Sequence, residues 1–117
     1  MRFPSAVRLT SLVVALALIA NLFISAARPE VAWLVPEPLD KVAHLTYFLV
    51  LAMLMTIADA GHRPLLVAVA LIAVGVADEW HQAYVTGRDS SVADLVADCI
   101  GIAIGMITTR RFLPARA

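Results

Sequence analysis

Three short stretches of this sequence concentrate the residues able to do chemistry: DKVAHLTYF at 40–48, DEWHQAYVTGR at 78–88 and SVADLVADCIG at 91–101. They hold the carboxylates Asp40, Asp78, Glu79, Asp94 and Asp98, the histidines His44 and His81, and Lys41, Gln82 and Arg88. Asp40 stands one helical turn from His44, and Asp78 three residues from His81, so on helices each imidazole can be oriented by a carboxylate on its own face. Such pairs serve general acid/base chemistry, with Glu79 as the base, His44 as acid or second base, and Arg88 stabilising developing negative charge. The same set can instead build a binding site, in which Lys41 and Arg88 contact phosphate and Asp40, Asp78, Gln82, Asp94 and Asp98 shape the walls. No nucleophile stands beside an identifiable base, which ranks binding ahead of catalysis. His44, Glu79, Asp78 and Asp98 are suitable metal ligands by type, but without HExxH spacing no metal is expected, and no cofactor can be named.

Each residue also has a plainer role. Asp40 can cap the helix that follows it, and Ser91 with Asp94 has capping-box spacing. Asp78 and Glu79 are harder to reduce to stability, because two acids near the C-terminal end of a helix oppose its dipole and repel each other. Asp98 in an apolar segment needs Arg88, a histidine or its own proton to be tolerated. His81 can point to lipid headgroups. Cys99 cannot form an internal disulfide and is expected to pack as a small residue. Gly101 and Gly105 form a small-residue face, GIAIG, that either tightens packing inside the fold or joins copies of the chain.

The elements that position these residues follow from composition. The chain has 117 residues, of which 62% are hydrophobic and 15% charged, too apolar for a water-soluble domain. Four stretches, about 9–27, 39–58, 64–83 and 91–109, are each long and apolar enough to cross a bilayer as a helix. Their continuous rather than alternating apolar character excludes a β-barrel. Pro64 suits a first helical turn, and Gly61 and Gly87 suit helix ends. The expectation is a single all-α domain spanning 1–117, an up-down four-transmembrane-helix bundle. Arg2, Arg8 and the small residues Ser25 to Ala27 also fit a cleaved signal peptide, but the apolar run is longer than usual for one, favouring a first transmembrane helix.

The net charge is zero, which argues against nucleic acid as a partner. The charges are nevertheless segregated. With both termini cytoplasmic, Arg2, Arg8, Arg63, Arg110, Arg111 and Arg116 lie inside, against Arg28, Lys41 and Arg88 outside, in accord with the positive-inside rule. Among the acids, Asp59 alone falls inside. Trp33, Trp80 and Tyr84 fall at the level of an outer aromatic belt, although Trp80 could equally line a site. Counting along each helix puts Asn21, His44, Asp78, Glu79 and Asp98 in one layer roughly 5 to 11 Å below the outer boundary, so residues from all four helices are expected to form a polar pocket open to the outside.

The spaced motifs resemble those of the VanZ-like family of small bacterial membrane proteins, in which DKxxH is followed by DExxQ, an arginine, and DxxxN with glycines after it. Asp40, Lys41 and His44 match the first motif; Asp78, Glu79, Gln82 and Arg88 the second; Asp94 and Gly101 the third. Asp98 departs, since the family commonly carries asparagine there. The resemblance covers 40–105 and implies a multi-pass protein of the bacterial cytoplasmic membrane. Through the founding member, it also implies an association with low-level resistance to the glycopeptide teicoplanin. The expected function is modulation of the cell envelope by binding a membrane lipid or lipid-linked envelope component at the outer face. The alternative is an intramembrane enzyme acting on a lipid-linked substrate. A proton-coupled carrier is disfavoured, because the inner halves of the last three helices offer few ionisable residues.

Overall fold

The structure, a computed structural model, describes residues 3–28, 38–85 and 91–113. Four helices account for most of them: α1 (Ser5–Ala26), α2 (Leu39–Asp59), α3 (Pro64–Gln82) and α4 (Val92–Phe112). Each is long and apolar enough to cross a membrane, and the described residues contain no strand. Large apolar side chains such as Leu9, Leu65 and Ile107 face outward, as a lipid-facing surface requires.

The ends differ from the sequence expectation by a few residues. α1 starts at Ser5, directly after Pro4, and so includes Arg8, whose Nε donates to the carbonyl of Ala58 at 3.0 Å. α4 continues to Phe112, with Arg110 and Arg111 in its last turn, where cations complement the negative end of the helix dipole. Between α2 and α3 the chain reverses through Ala60 (φ 55°) and Gly61 (φ 69°). Their N–H groups close onto the carbonyls of Ile57 and Thr56 at 3.0 and 3.1 Å, so α2 ends with its last carbonyls satisfied. Arg63 pairs with Asp59 at 2.9 Å and Arg110 donates to Gly61 O at 3.1 Å. Three arginines, Arg8, Arg63 and Arg110, thus gather around this turn.

The closest packing joins α2 to α4, which run parallel: Lys41 meets Asp94, His44 meets Asp98, and Leu45 and Leu49 meet Gly101 and Gly105. The two glycines make this approach possible. A Cβ at Gly101 would collide with the carbonyl oxygen of Leu45, and one at Gly105 with that of Leu49. The GIAIG face is therefore occupied inside the bundle, against α2. Below it, Ala15, Phe48, Leu51, Ala52, Val67, Leu71 and Ile102 form the core.

Candidate functional site

Because α2 and α4 run parallel, both place their N-terminal turns at the end of the bundle opposite the arginine-clasped turn, where α3 ends. Asp40 and Asp94 occupy those first turns, where the positive ends of the helix dipoles favour them. Lys41 Nζ joins them, 2.9 Å from Asp40 Oδ2 and 2.8 Å from Asp94 Oδ1. One turn further along, His44 Nδ1 lies 2.9 Å from Asp98 Oδ1, and its Nε2 is 3.9 Å from Asp94 Oδ2. His44 is thus oriented by a carboxylate across the helix interface, not by Asp40 on its own helix. Asp40 precedes no helix start as a cap; Pro38 holds the N-cap position without a side-chain bond.

α3 contributes Asp78 and Glu79, which diverge because successive helical residues point about 100° apart. Asp78 Oδ2 accepts from Gln82 Nε2 at 3.0 Å. Glu79 Oε2 accepts from the backbone N–H of Ser91 at 2.8 Å. The Ser91 hydroxyl accepts from Ala93 N at 3.1 Å, so Ser91 caps α4 through its second residue and the expected capping box with Asp94 does not form. The Ser91 N–H goes to Glu79 of α3, and Asp94 meets Lys41. Asp78, Glu79, Asp94, Asp98 and Gln82 are all buried, and Asp98 is fully inaccessible.

His44, Glu79 and Asp98 each bring one ligand-type atom into a group whose members lie within 4.8 Å of one another. Glu79 Oε1 and Asp98 Oδ2 are buried and accept no hydrogen bond among the described residues. Gly75, which sequence reading did not single out, makes room here: a Cβ on it would stand 3.1 Å from Asp98 Oδ2. A glycine inside an apolar helix was itself a signal, since it weakens the helix unless close packing requires it.

Other expectations are corrected. Asn21 sits at the right depth but on an exposed face, bonded to Tyr47 Oη at 3.2 Å, so α1 adds no member to the cluster by that route. Tyr47 in turn donates to Leu18 O at 2.5 Å, tying α1 to α2. His81 packs against the Phe23 ring of α1 at 6.0 Å between centroids instead of bonding Asp78. Trp80 is 68% exposed and meets Tyr84 edge-on, outside the buried cluster. Cys99 is a half-buried free thiol. Arg88, and with it Trp33 and Gly87, lies outside the described residues. On the face of α2 turned away from Lys41 and His44, an apolar groove of about 510 Å³ runs between α1 and α2, lined by Leu18, Leu39, Val42, Ala43, Thr46, Tyr47 and Val50.

The family model described as VanZ/LLP1 matches residues 3–113 of the chain. The chain belongs to the VanZ-like family. Its four apolar helices make it a multi-pass membrane protein of that family. No curated protein and no solved structure matches it. Among the described residues, the positions matching the VanZ-like motifs (Asp40, Lys41, His44, Asp78, Glu79, Gln82, Asp94 and the variant position Asp98) share one end of the bundle, while the motif glycine Gly101 provides the close α2–α4 contact. Chemically, the arrangement can hold a cation among carboxylates, exchange a proton between His44 and Asp98, or present Lys41 to an anion. Among the described residues it pairs no serine or cysteine with a base.

Proposed function

We propose that this VanZ-like protein lies in the bacterial cytoplasmic membrane with both termini cytoplasmic and its polar cluster in the outer leaflet. There it binds an anionic lipid headgroup or lipid-linked envelope component and so modulates the envelope, including susceptibility to glycopeptides such as teicoplanin. The observation that carries this reading is the convergence of buried charged residues from α2, α3 and α4 at one end of an otherwise apolar bundle. Groups of that kind are too unfavourable in a membrane to be kept for packing alone. Two features support it further. The arginines around the α2–α3 turn suit the cytoplasmic side, and the apolar groove between α1 and α2, at the same end of the bundle as Lys41, suits an acyl chain, while Lys41 and Arg88 suit a phosphate.

The test is lipid-retaining purification followed by mass spectrometry of co-purified small molecules, with Lys41→Ala and Arg88→Ala alongside. A recurrent anionic lipid or lipid-linked precursor on the native protein, depleted in both variants, is expected. The same lipids in native and variant preparations, together with unchanged teicoplanin susceptibility in a deletion strain carrying either variant, would sink the proposal.

One observation favours the catalytic reading as second: Glu79 Oε1 and Asp98 Oδ2 are buried acceptors without partners beside an imidazole, a set able to move protons. A Glu79→Gln protein that keeps its lipid but loses turnover of it would select this reading; full phenotype in that variant would remove it.

A further inference from the structure

We propose that His44, Glu79 and Asp98 form a binding site for a divalent first-row transition-metal ion, with zinc the ion best matched to the donor set, bridging α2, α3 and α4. Residue spacing carries no sign of it, because each ligand comes from a different helix. The proposal shares the location of the lipid site above and rests on that reading only for what the ion would face. The metal site itself stands on four features of the cluster.

First, the geometry is close to what an ion needs. The three ligand-type atoms lie within 4.8 Å of one another, whereas bonds of about 2.0–2.2 Å hold donors no more than about 4.4 Å apart, so the widest pair needs only a small closure. Second, both carboxylates of the group, 0% and 7% exposed, keep a buried oxygen without a hydrogen-bond partner among the described residues: Asp98 Oδ2 and Glu79 Oε1. An oxygen so placed in an apolar bundle is strongly unfavourable without a proton or a cation beside it. Third, Gly75 leaves open the space next to Asp98 Oδ2 that any side chain would fill, since its Cβ would stand 3.1 Å away. Fourth, the ligands are held in place. Ser91 N–H holds the other oxygen of Glu79 at 2.8 Å, an outer-shell bond of the kind metal ligands require, and the ion pair of Lys41 with Asp94 closes the neighbouring turn at 2.8 Å.

Imidazole with two carboxylates suits zinc and its neighbours better than magnesium or calcium, which prefer oxygen alone. His44 Nδ1 and Asp98 Oδ1 now share a proton at 2.9 Å; the ion takes the place of that proton, so binding releases it to solvent. With three protein ligands, a coordination position stays open. In the lipid reading that position faces a phosphate oxygen.

The experiment uses the full chain purified in detergent and stripped with chelator, then dialysed against zinc and assayed by elemental mass spectrometry. About one zinc per chain is expected, falling at least tenfold in Glu79→Gln and Asp98→Asn. Asp59→Asn, at the opposite end of the bundle, should keep the native stoichiometry. Zinc uptake below a tenth of an equivalent by the native chain overturns the proposal, and so does native stoichiometry in both site variants. Should the variants fail to fold, cobalt(II) added to the stripped native chain decides. Visible absorption bands that zinc abolishes support the site, and their absence refutes it. Metal uptake is measured without lipid, so zinc binding alongside unchanged lipid content and drug susceptibility leaves the metal site standing and removes the lipid reading. The converse result removes only the metal.

Discussion

His44 Nδ1 lies 2.9 Å from Asp98 Oδ1, linking the second turns of the parallel helices α2 and α4 just before the glycine contacts that bring their backbones together. The bond exists because Gly101, three residues beyond Asp98, lets the backbone of α4 rest on that of α2. Packing and polar chemistry are therefore one arrangement: the small residues that tighten the interface also set the imidazole against its carboxylate. Parallel helices would ordinarily repel through their aligned dipoles, but here both positive ends point into carboxylates, which offsets the repulsion.

From that bond, Asp98→Ala and Asp98→Asn should differ. Alanine strips His44 of its partner inside the bundle, and leaving a buried donor unmet costs about 1–3 kcal/mol. Asparagine retains an acceptor oxygen and should cost well under half as much. Thermal unfolding in detergent measures both; equal losses would show that His44 draws nothing from residue 98.

Lys41 and Asp94 form the second cross-helix link, with Asp94 the more buried partner, 6% exposed at its side chain against 27% for Lys41. Lys41→Met removes the cation and leaves a buried carboxylate, so destabilisation of up to about 3–5 kcal/mol is expected, less what solvent recovers at this end. Lys41→Met combined with Asp94→Leu should regain much of the loss, since an apolar pair in place of a buried ion pair is often neutral. A double variant no more stable than Lys41→Met alone would contradict this.

How much of this was legible beforehand divides along a physical line. Helix positions follow from local composition, and Pro64 and the Ala60–Gly61 turn lie where apolar runs break, so α2 and α3 were readable almost to the residue. Depth along a helix was readable too, which is why the motif residues fall at one end. Rotation about the helix axis was not. Asn21 has the depth of the cluster but faces outward, and His44 has Asp40 within a turn yet pairs with Asp98 from α4. Which side of a transmembrane helix meets its neighbour depends on non-local packing, and α1, apolar on every side, carries no periodicity to reveal it. Gly101 and Gly105 announced close packing but not the partner.

Gly101 and Gly75 supply a contrast in how added volume is tolerated. A Cβ at Gly101 meets backbone atoms of Leu45 and Leu49, which cannot move without separating the helices. Gly101→Ala should therefore cost at least about 1–3 kcal/mol, the range for overpacking, and lower the yield of folded protein. At Gly75 the nearest atoms are the side-chain oxygen of Asp98 at 3.1 Å and the side chain of Leu95 at 3.4 Å. Gly75→Ala should leave thermal stability within about 1 kcal/mol while displacing Asp98, and metal uptake should fall. Comparable melting losses for the two variants would show that the α2–α4 contact is softer than its geometry implies.

The turn opposite the polar cluster gives the last expectation. Ala60 takes φ 55°, a left-handed conformation in which Cβ crowds the following carbonyl, at roughly 1–2 kcal/mol for any residue but glycine. Ala60 is 3% exposed, so Ala60→Gly also gives up the burial of a methyl group, worth about 0.8 kcal/mol. Glycine further loosens the unfolded chain, which subtracts from the gain. The three contributions nearly cancel, so Ala60→Gly should leave stability unchanged to within about 1 kcal/mol. Ala60→Val, by contrast, adds branching at the same left-handed position and should lower it by more than about 1 kcal/mol. Paired melting curves in detergent measure the two together. A valine variant as stable as the native chain would mean that the turn relaxes away from the left-handed form, and Gly61, at φ 69°, would then carry the reversal alone.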